Sequence, residues 1–322
     1  MIEQYRTWIE EEIARQPFGH APSSLYEPIR YIMRLGGKRL RPLLTVMAYS
    51  LYKRNPKKVI PLATAVECFH NFTLLHDDIM DNAPLRRGKA TVHNKWNVNT
   101  AILSGDVMLV RVYEQLLLVD PALLKEALTL FSACAAEVCE GQQWDMEYEN
   151  KDKISVADYV MMVRKKTAVL LGFSLEFGGL LAGAPSKDRL ALRNFGIDMG
   201  IGFQLKDDWL DVYGSRKKFG KQVGGDILAN KRTFLLITAL ATAKGKDKKE
   251  LLAWMKTRRF NKKEKVKSVT ALYDHLGVSH ITADHINFYI NRGLAGLQNL
   301  SVPRNRQQAL IDYTLQLIDR TH

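Results

Sequence analysis

The sequence predicts an all-α protein that folds as a single domain over residues 1–322. Apolar residues recur at spacings of three and four along most of the chain, the period of an amphipathic helix, and strand-type alternation is scarce. Helix-breaking residues divide the chain into segments of helical length. No linker rich in Pro, Ser or Gly separates one part of the chain from another, so we expect one domain.

The predicted helix ends coincide with glycine and proline. Glycine tolerates the left-handed backbone that often follows a helix, and proline lacks the N–H that would continue one. The breaks fall at Gly36-Gly37, Asn55-Pro56, Ala83-Pro84, Asp120-Pro121, Gly183-Ala184-Pro185, Gly214-Ser215 and Gly277.

The composition is that of a globular protein. Hydrophobic residues make up 46% and charged residues 25% of the chain, which excludes wholesale disorder. The most apolar stretch, residues 169–184, contains Glu176, so we expect no membrane span. The first residues are acidic and lack the apolar core of a signal peptide, so we expect no signal peptide. Cys68, Cys134 and Cys139 form no CxxC pair, and their odd number is typical of a cytoplasmic protein, which is the localisation we expect.

The chain is strongly basic. It carries 47 Lys and Arg residues against 34 Asp and Glu residues, a net charge of +13 that attracts anions. Residues 244–267 alone hold eleven basic and three acidic residues. We interpret this segment as a solvated helix pair and expect no nucleic-acid partner, because no recognition motif accompanies the charge. The alternative, a basic helical nucleic-acid-binding protein, would bind DNA with a steep dependence on salt.

The first of two Asp-Asp-x-x-Asp motifs is Asp77-Asp78-Ile79-Met80-Asp81. Residues four apart share a face of a helix, so Asp77 and Asp81 project together, in line with His70 and Thr73. Polar groups on the inward face of an apolar helix are costly unless they are paired or bind a metal. Carboxylate oxygens are hard ligands, and they suit Mg²⁺.

The second motif, Asp207-Asp208-Trp209-Leu210-Asp211, repeats the pattern 130 positions later. Gln204, Asp207 and Asp211 are spaced at i, i+3 and i+7, with Asp208 beside them. One such cluster is common on solvated helices, but two in apolar sequence favour a site for several divalent cations. Polyphosphate is the natural ligand of such cations, because it bridges them to basic side chains.

Basic side chains that could bind this polyphosphate accompany both motifs. Arginine binds phosphate as a bidentate fork, and lysine binds it as a point charge. These side chains occur in GGKRLRP (residues 36–42), LRRG (85–88), RKKT (164–167) and FGKQVGGDILANKRT (219–233). Each cluster alone could be a solubilising surface patch, but their combined placement favours a phosphate site.

Together the motifs resemble those of the trans-isoprenyl diphosphate synthases, the polyprenyl synthetase family. GGKRLRP, HNFTLLHDDIMD, LRRG, Lys166-Thr167, FQLKDDWLD and GKQVGGDILANKRT follow one another in the family's order. GQQWD at residues 141–145 resembles the family's GQxxD element. The chain departs from the family at Ala90, where RRGxPT is usual, and we expect this to alter a loop but not the chemistry.

The resemblance implies the isoprenoid synthase fold, with about ten core helices around a central cavity. The two acidic motifs would face each other across its mouth. The implied enzyme is a prenyltransferase that condenses isopentenyl diphosphate head to tail with dimethylallyl, geranyl or farnesyl diphosphate. The implied cofactor is Mg²⁺, about three ions per active site. The family analogy also implies a homodimer.

The resemblance assigns roles to individual residues. Asp77, Asp81 and Asp207 would hold the metal ions, with Asp78, Asp208 and Asp211 as further ligands or as residues that support them. The allylic diphosphate would be contacted by Arg86, Lys166, Lys221 and Lys231. Isopentenyl diphosphate would be bound by Lys38, Arg41, His70 and Arg87. The carbocation would be stabilised by Thr167 and Gln204.

Product length depends on one further pair of residues. Phe72 lies five residues before the first motif, about 7.5 Å along a helix, and could close the pocket for the growing tail, with the small Thr73 beside it. This pair resembles geranylgeranyl (C20) synthases, whereas two aromatics resemble farnesyl (C15) synthases. We expect a C20 product, with farnesyl or longer products as alternatives. Phe72 could instead be an ordinary core residue. A class I terpene cyclase is a further alternative, but its second metal motif is usually spaced differently.

Overall fold

A computed structural model describes residues 1–149, 151, 153–214 and 224–318, and confirms the predicted all-α fold. The helices of the first half are α1 (Ile2–Arg15), α2 (Ser23–Arg34), α3 (Leu40–Tyr52), α4 (Ile60–Met80), α5 (Val92–Lys95), α6 (Val98–Leu116) and α7 (Pro121–Glu149). Those that follow are α8 (Val156–Val163), α9 (Val169–Leu181), α10 (Ser186–Tyr213), α11 (Gly225–Ala229), α12 (Phe234–Thr242), α13 (Gly245–Lys256), α14 (Lys262–His275), α15 (Val278–Leu297) and α16 (Arg304–Ile318). A 3₁₀ turn (Pro56–Val59) leads into α4, and a π-helical turn (Arg164–Ala168) joins α8 to α9.

The helix ends agree with the predicted breaks wherever the structure describes them. Helix α2 ends before Gly36 and Gly37, whose φ angles of 75° and 138° are positive, and α14 ends before Gly277 at φ 70°. Helix α7 begins at Pro121, a position where the missing N–H costs nothing. Ser215, part of one predicted break, lies outside the described residues.

A two-stranded antiparallel hairpin follows α4 and was not predicted. Strand β1 (Leu85–Arg86) pairs with β2 (Lys89–Ala90), and Arg87 and Gly88 form the turn between them. Both turn residues have positive φ, 53° and 74°, as the commonest tight hairpin turn requires. Ala90, the position that departs from the family pattern, is therefore a strand residue, and its carbonyl accepts a hydrogen bond from the Tyr31 hydroxyl.

The chain divides into two compact units. The first unit comprises Met1–Ala135, Leu170–Arg193 and Leu300–Leu310. The second comprises Ala136–Val169, Asn194–Asn299 and Ile311–His322. The expectation of a single domain stays a prediction.

In the first unit, α4 packs closely against α3 and α6. Gly105 on α6 allows this approach, because a Cβ there would lie 2.2 Å from Nε2 of His76 on α4. Gly178 on α9 is equally constrained, since its Cβ would lie 2.2 Å from the carbonyl oxygen of Thr45 on α3. The contact of α6 at His76 lies one residue before Asp77, and so it positions the end of α4 that carries the first acidic motif.

The core of the second unit is formed by α12, α13, α14 and the end of α10. Leu235, Leu251, Val269 and Val212 are buried together there. The side chain of Thr233 caps α12 by accepting a hydrogen bond from the N–H of Leu236. Among the described residues, no helix combines the length and apolarity that crossing a membrane requires.

Candidate active site

The first acidic motif lies at the C-terminal end of α4. Asp77 is half-buried with 18% of its side chain exposed, and Asp81, the C-cap residue, is exposed. Carboxylates are unfavourable at this end of a helix, because the helix dipole is negative there. A bound cation would offset this cost, so the position of the motif fits the predicted metal site.

Asp78 is turned away from that exposed end. It is 1% exposed, and its Oδ1 accepts a hydrogen bond of 2.8 Å from Nε of Arg86 in the hairpin. Arg86 also donates from Nη2 to Oδ2 of Asp77 at 3.1 Å. Burial raises the pKa of Asp78, and the Arg86 guanidinium opposes that shift. Arg86 therefore fixes the motif's geometry in addition to any contact with substrate.

The glycine turn before α3 contacts the hairpin. Arg87 donates from Nη1 to the carbonyl oxygen of Gly36. A Cβ on Gly37 would lie 2.8 Å from the Arg87 guanidinium carbon, so only glycine fits there without displacing Arg87. Lys38 follows this turn and is exposed. The structure thus brings Lys38 and Arg87, two predicted ligands of isopentenyl diphosphate, to one region of the first unit.

Arg39 differs from its basic neighbours because its side chain points inward. It has a left-handed backbone (φ 48°) and is 2% exposed. Its guanidinium bonds Glu10 on α1 at 2.7 Å, Glu67 on α4 at 2.9 Å and the Met33 carbonyl of α2 at 2.7 Å. Arg39 is therefore a structural residue that joins three helices, whereas the sequence alone groups it with the phosphate-binding cations.

Arg41 and His70 form the inner part of this basic region. Nη1 of Arg41 lies 3.0 Å from Nε2 of His70. Burial, reinforced by Arg41 and Arg87, lowers the pKa of His70 well below its usual range, so the imidazole is neutral and accepts from Arg41. Burial lowers the pKa of Arg41 to about 10, which leaves it charged at neutral pH. The two side chains are already oriented and could bind an anion without rearrangement.

In the second unit, Lys166 and Thr167 lie in the π-helical turn between α8 and α9. Such turns are rare and often mark functional sites. Gly141 on α7 packs against this turn, since its Cβ would lie 2.1 Å from the backbone nitrogen of Lys166. Nζ of Lys166 bonds Oδ2 of Asp145 at 2.6 Å. The GQxxD element thus has two functions: its glycine admits the turn, and its aspartate, absent from the predicted site residues, holds the lysine.

Asp208 of the second motif is buried and surrounded by donors. Its Oδ2 accepts from the Tyr159 hydroxyl and from the N–H of Phe234 at 3.1 Å, and its Oδ1 accepts from Nε2 of Gln204 at 3.1 Å. Burial raises the pKa of Asp208, although the hydrogen bonds from Tyr159, Gln204 and Phe234 oppose the shift. Tyr159 was not among the predicted site residues, because it lies 49 positions from Asp208 and no motif links the two.

The other aspartates of this motif lie at the C-terminal end of α10, as those of the first motif do on α4. Asp207 is half-buried. Oδ2 of Asp211 accepts from the N–H of Asp226 at 2.9 Å, which ties the motif to the start of α11. Burial lowers the pKa of Lys231, but the nearby carboxylates of Asp226, Asp145 and Asp208 raise it by more. The net shift is upward, so Lys231 is positively charged at neutral pH. Lys221 lies outside the described residues.

The chain-length pair lies on α4. Phe72 is 8% exposed, and its ring packs against Phe69 and His76 with centroid distances of 5.7 and 4.8 Å. Five helical residues rotate it about 140° from Asp77, so it lies away from the aspartate face. Thr73 lies on the aspartate side, and its hydroxyl donates to the His70 carbonyl at 2.8 Å.

The donor chemistry fits Mg²⁺ bound together with a substrate. Among the described residues, no three His, Cys, Asp or Glu side chains converge to hold a metal by themselves. Mg²⁺ is usually held by one or two carboxylates with waters and substrate phosphates, not by a complete protein cage. Half-buried aspartates on two helix ends, with separate groups of cations, match that requirement.

Comparison with known proteins places these features in a family. Residues 22–273 match the family model described as Polyprenyl synthetase. The chain is 42% identical over 245 residues to the short chain isoprenyl diphosphate synthase of Methanocaldococcus jannaschii, covering 76% of this chain and 74% of that one. It is 37% identical over 318 residues to the geranylgeranyl pyrophosphate synthase of Geoglobus acetivorans, covering 98% and 95% of the two chains. A crystal structure of a geranylgeranyl pyrophosphate synthase superposes with a TM-score of 0.94 at 41% identity, covering 100% of this chain and 99% of that one.

Proposed function

Because the chain belongs to the polyprenyl synthetase family and is a prenyltransferase, we propose that it makes geranylgeranyl diphosphate. The reaction joins isopentenyl diphosphate head to tail to an allylic diphosphate of five, ten or fifteen carbons. The observation that carries this proposal is the pair of acidic motifs, each at the C-terminal end of a long helix and each in a unit with its own group of cations. The names of similar proteins support the C20 product.

We assign direct metal contact to Asp77, Asp81 and Asp207. Mg²⁺, which we propose binds as about three ions with the substrate, supplies positive charge that stabilises the departing diphosphate. Asp78 and Asp208 are supporting residues in this proposal, because protein donors already occupy their buried oxygens.

The cations would divide between the two substrates. Lys38, Arg41, His70 and Arg87 would bind the diphosphate of isopentenyl diphosphate, and the neutral His70 would orient Arg41. Arg86, Lys166 and Lys231, with Lys221, would contact the allylic diphosphate. Asp145 would hold Lys166 extended towards it.

Once the allylic bond ionises, the isopentenyl double bond attacks the cation and a proton is lost. The released diphosphate is the base in this proposal, since no described side chain stands out for that role. Gln204 donates a hydrogen bond from its Nε2 to Asp208, so its side-chain carbonyl oxygen is the group that could stabilise the cation. Thr167, in the π-helical turn, would offer a hydroxyl. Apolar walls would exclude water that could quench the cation.

Product sizing tests this proposal. The protein is incubated with Mg²⁺, isopentenyl diphosphate and each primer, and the products are separated by length. We expect C20 to predominate. Thr73→Phe should shorten the product towards C15, because it adds an aromatic on the aspartate side of α4. Phe72→Ala tests the other residue of the pair: its ring packs on Phe69 and His76 away from the aspartate face, so a longer product in this variant would show that the ring still closes the pocket for the tail. An unchanged distribution in both active variants would refute the chain-length assignment.

We also propose a homodimer. Helix α6 and its C-cap residue expose Leu103, Val110 and Leu117 at intervals of seven residues, with 57%, 56% and 62% of each residue accessible. An apolar stripe at that period is typical of a helix that packs against another helix. Light scattering at micromolar concentration should give a dimer mass, and Val110→Lys should weaken the dimer. A monomer mass for the unaltered chain would contradict the proposal.

The compartment is a final element of the proposal. We infer a cytoplasmic enzyme, supported by the free thiols of Cys68 and Cys139. A thiol titration of protein isolated under alkylating conditions would test this, because oxidation of either cysteine in the cell would argue against a reducing compartment.

A further inference from the structure

The basic segment formed by α13, α14 and the connection between them takes no part in the proposed chemistry. Ten of its eleven Lys and Arg residues, over residues 244–267, are exposed. Within the described part of the chain, none of these ten side chains forms an ion pair. The eleventh, Lys265, is buried, and its Nζ donates a hydrogen bond of 2.7 Å to Oδ1 of Asn230. The exposed cations are therefore available to an external anionic partner.

The segment is held on the body of its unit by its apolar side. Leu251 is completely buried, and Trp254 and Met255 pack against the same core. Asn230 bonds both ends of the connection, donating to the Met255 carbonyl at 3.1 Å and accepting from Lys265. The cations are thus displayed on a fixed scaffold.

Helix geometry places three lysines of α13 on the face opposite Leu251. Lys246, Lys249 and Lys256 are three and seven residues apart, so they share one side, and all are exposed. Leu252, which is 36% exposed, borders this side. We call Lys246, Lys249 and Lys256 the α13 lysine face.

We propose that the α13 lysine face is a docking surface for a bilayer containing anionic lipids. The inference rests in part on the proposed function, because a C20 diphosphate carries a long apolar tail that water accommodates poorly and a bilayer accommodates well. An anionic bilayer offers many negative charges in a plane, and exposed lysines on a fixed helix complement such a surface. Adsorption at the lipid surface would place the enzyme where its product partitions.

The aromatic side chains of the segment argue against single-stranded nucleic acid as the partner. Such ligands are commonly held by bases stacked on exposed aromatic rings. Trp254 packs against the core, and the Phe260 ring lies 4.3 Å from the ammonium of Lys265. Both rings therefore make contacts within the protein, and the segment offers basic side chains but neither of these rings as a surface on which bases could stack.

Vesicle binding tests the proposal. Unaltered protein is sedimented with vesicles of phosphatidylcholine alone or of phosphatidylcholine mixed with phosphatidylglycerol. We expect binding to the mixed vesicles and its loss as salt is raised, because screening shortens the range of the attraction. The variant Lys246→Gln/Lys249→Gln/Lys256→Gln should bind more weakly by roughly fivefold per lysine, hence roughly a hundredfold.

A matched variant separates this face from net charge. Lys53→Gln/Lys58→Gln/Lys125→Gln removes the same charge at three exposed positions elsewhere and should bind nearly as well as the unaltered protein. Equal losses in both triple variants would overturn the proposal. So would equal binding of the unaltered protein to neutral and mixed vesicles, or binding to a polyuridylate RNA without binding to vesicles.

Synthase turnover, measured without vesicles, keeps the two proposals apart. It should be unchanged in the α13 variant, since the proposed chemistry uses none of the three lysines. Inactive protein that still binds mixed vesicles through this face would refute the proposed function and support the docking surface. Active protein that does not bind mixed vesicles would support the proposed function and refute the docking surface.

Discussion

The buried pair of Arg39 and Glu67 makes a quantitative prediction about the turn that carries Lys38. The two side chains are 1% and 2% exposed, and they are joined at 2.9 Å. Arg39→Met would leave the Glu67 carboxylate buried without the cation that contacts it. Breaking a buried ion pair by removing one partner costs about 3–5 kcal/mol of unfolding free energy, because the remaining charge is left uncompensated.

A second variant tests the cause of that loss. Arg39→Met/Glu67→Gln leaves no buried charge at the pair, and the glutamine oxygen can still accept from Asn71, which bonds Glu67 at 3.1 Å. We therefore expect the double variant to recover much of the lost stability. Glu10, the other carboxylate bound by Arg39, is 43% exposed and can be solvated.

Urea denaturation followed by circular dichroism measures these differences. Arg6→Met is the control, because Arg6 pairs with Glu3 at an exposed position and should contribute less than about 1 kcal/mol. The KM for isopentenyl diphosphate should also rise in Arg39→Met, since Arg39 anchors the backbone between Lys38 and Arg41. A loss in Arg39→Met no larger than in the control, or a double variant as unstable as the single one, would refute the reasoning.

Two further predictions concern substrate selection and pH. Lys38→Ala should mainly raise the KM for isopentenyl diphosphate, and Lys166→Ala should mainly impair the allylic substrate, each by about ten- to a hundredfold for one charge-assisted contact. Steady-state kinetics with each substrate varied in turn checks this, and equal effects on both substrates would count against separate pockets. His70, whose pKa is lowered by burial, stays neutral in the folded state, so unfolding takes up a proton as pH falls below about 6.5 and stability declines. His70→Gln should flatten that decline in urea titrations at several pH values, and the same pH dependence in both proteins would show that His70 is not its cause.

The helix boundaries could be predicted because local chemistry determines them. Gly277 and Pro121 act on the backbone of their own neighbours, so a single sequence contains the signal. The hairpin was missed because its signal is weak. Its turn is Arg87-Gly88, and arginine rarely adopts the positive φ that this turn requires.

Contacts between distant residues explain what the sequence could not reveal at the site. Lys38 and Arg39 are adjacent cations beside the same glycines, but Arg39 turns inward because it pairs with Glu10 and Glu67. These partners lie 29 and 28 positions away in the sequence, so no local pattern reveals the pairing. Similarly, Asp77 and Asp78 look alike in the motif. One residue of rotation, about 100°, carries Asp78 into the interior, where Arg86 of the unpredicted hairpin meets it.

The central proposal is that aspartates at the ends of α4 and α10 act through Mg²⁺ to join two diphosphate substrates. The most direct test is the rate of isopentenyl diphosphate incorporation into farnesyl diphosphate as Mg²⁺ is titrated, for the unaltered chain and for Asp77→Ala and Asp207→Ala. We expect turnover that requires Mg²⁺, a C20 product, and a loss of several orders of magnitude in both variants with their circular dichroism unchanged. Turnover that persists after chelation, or near-normal turnover in either folded variant, would contradict the account.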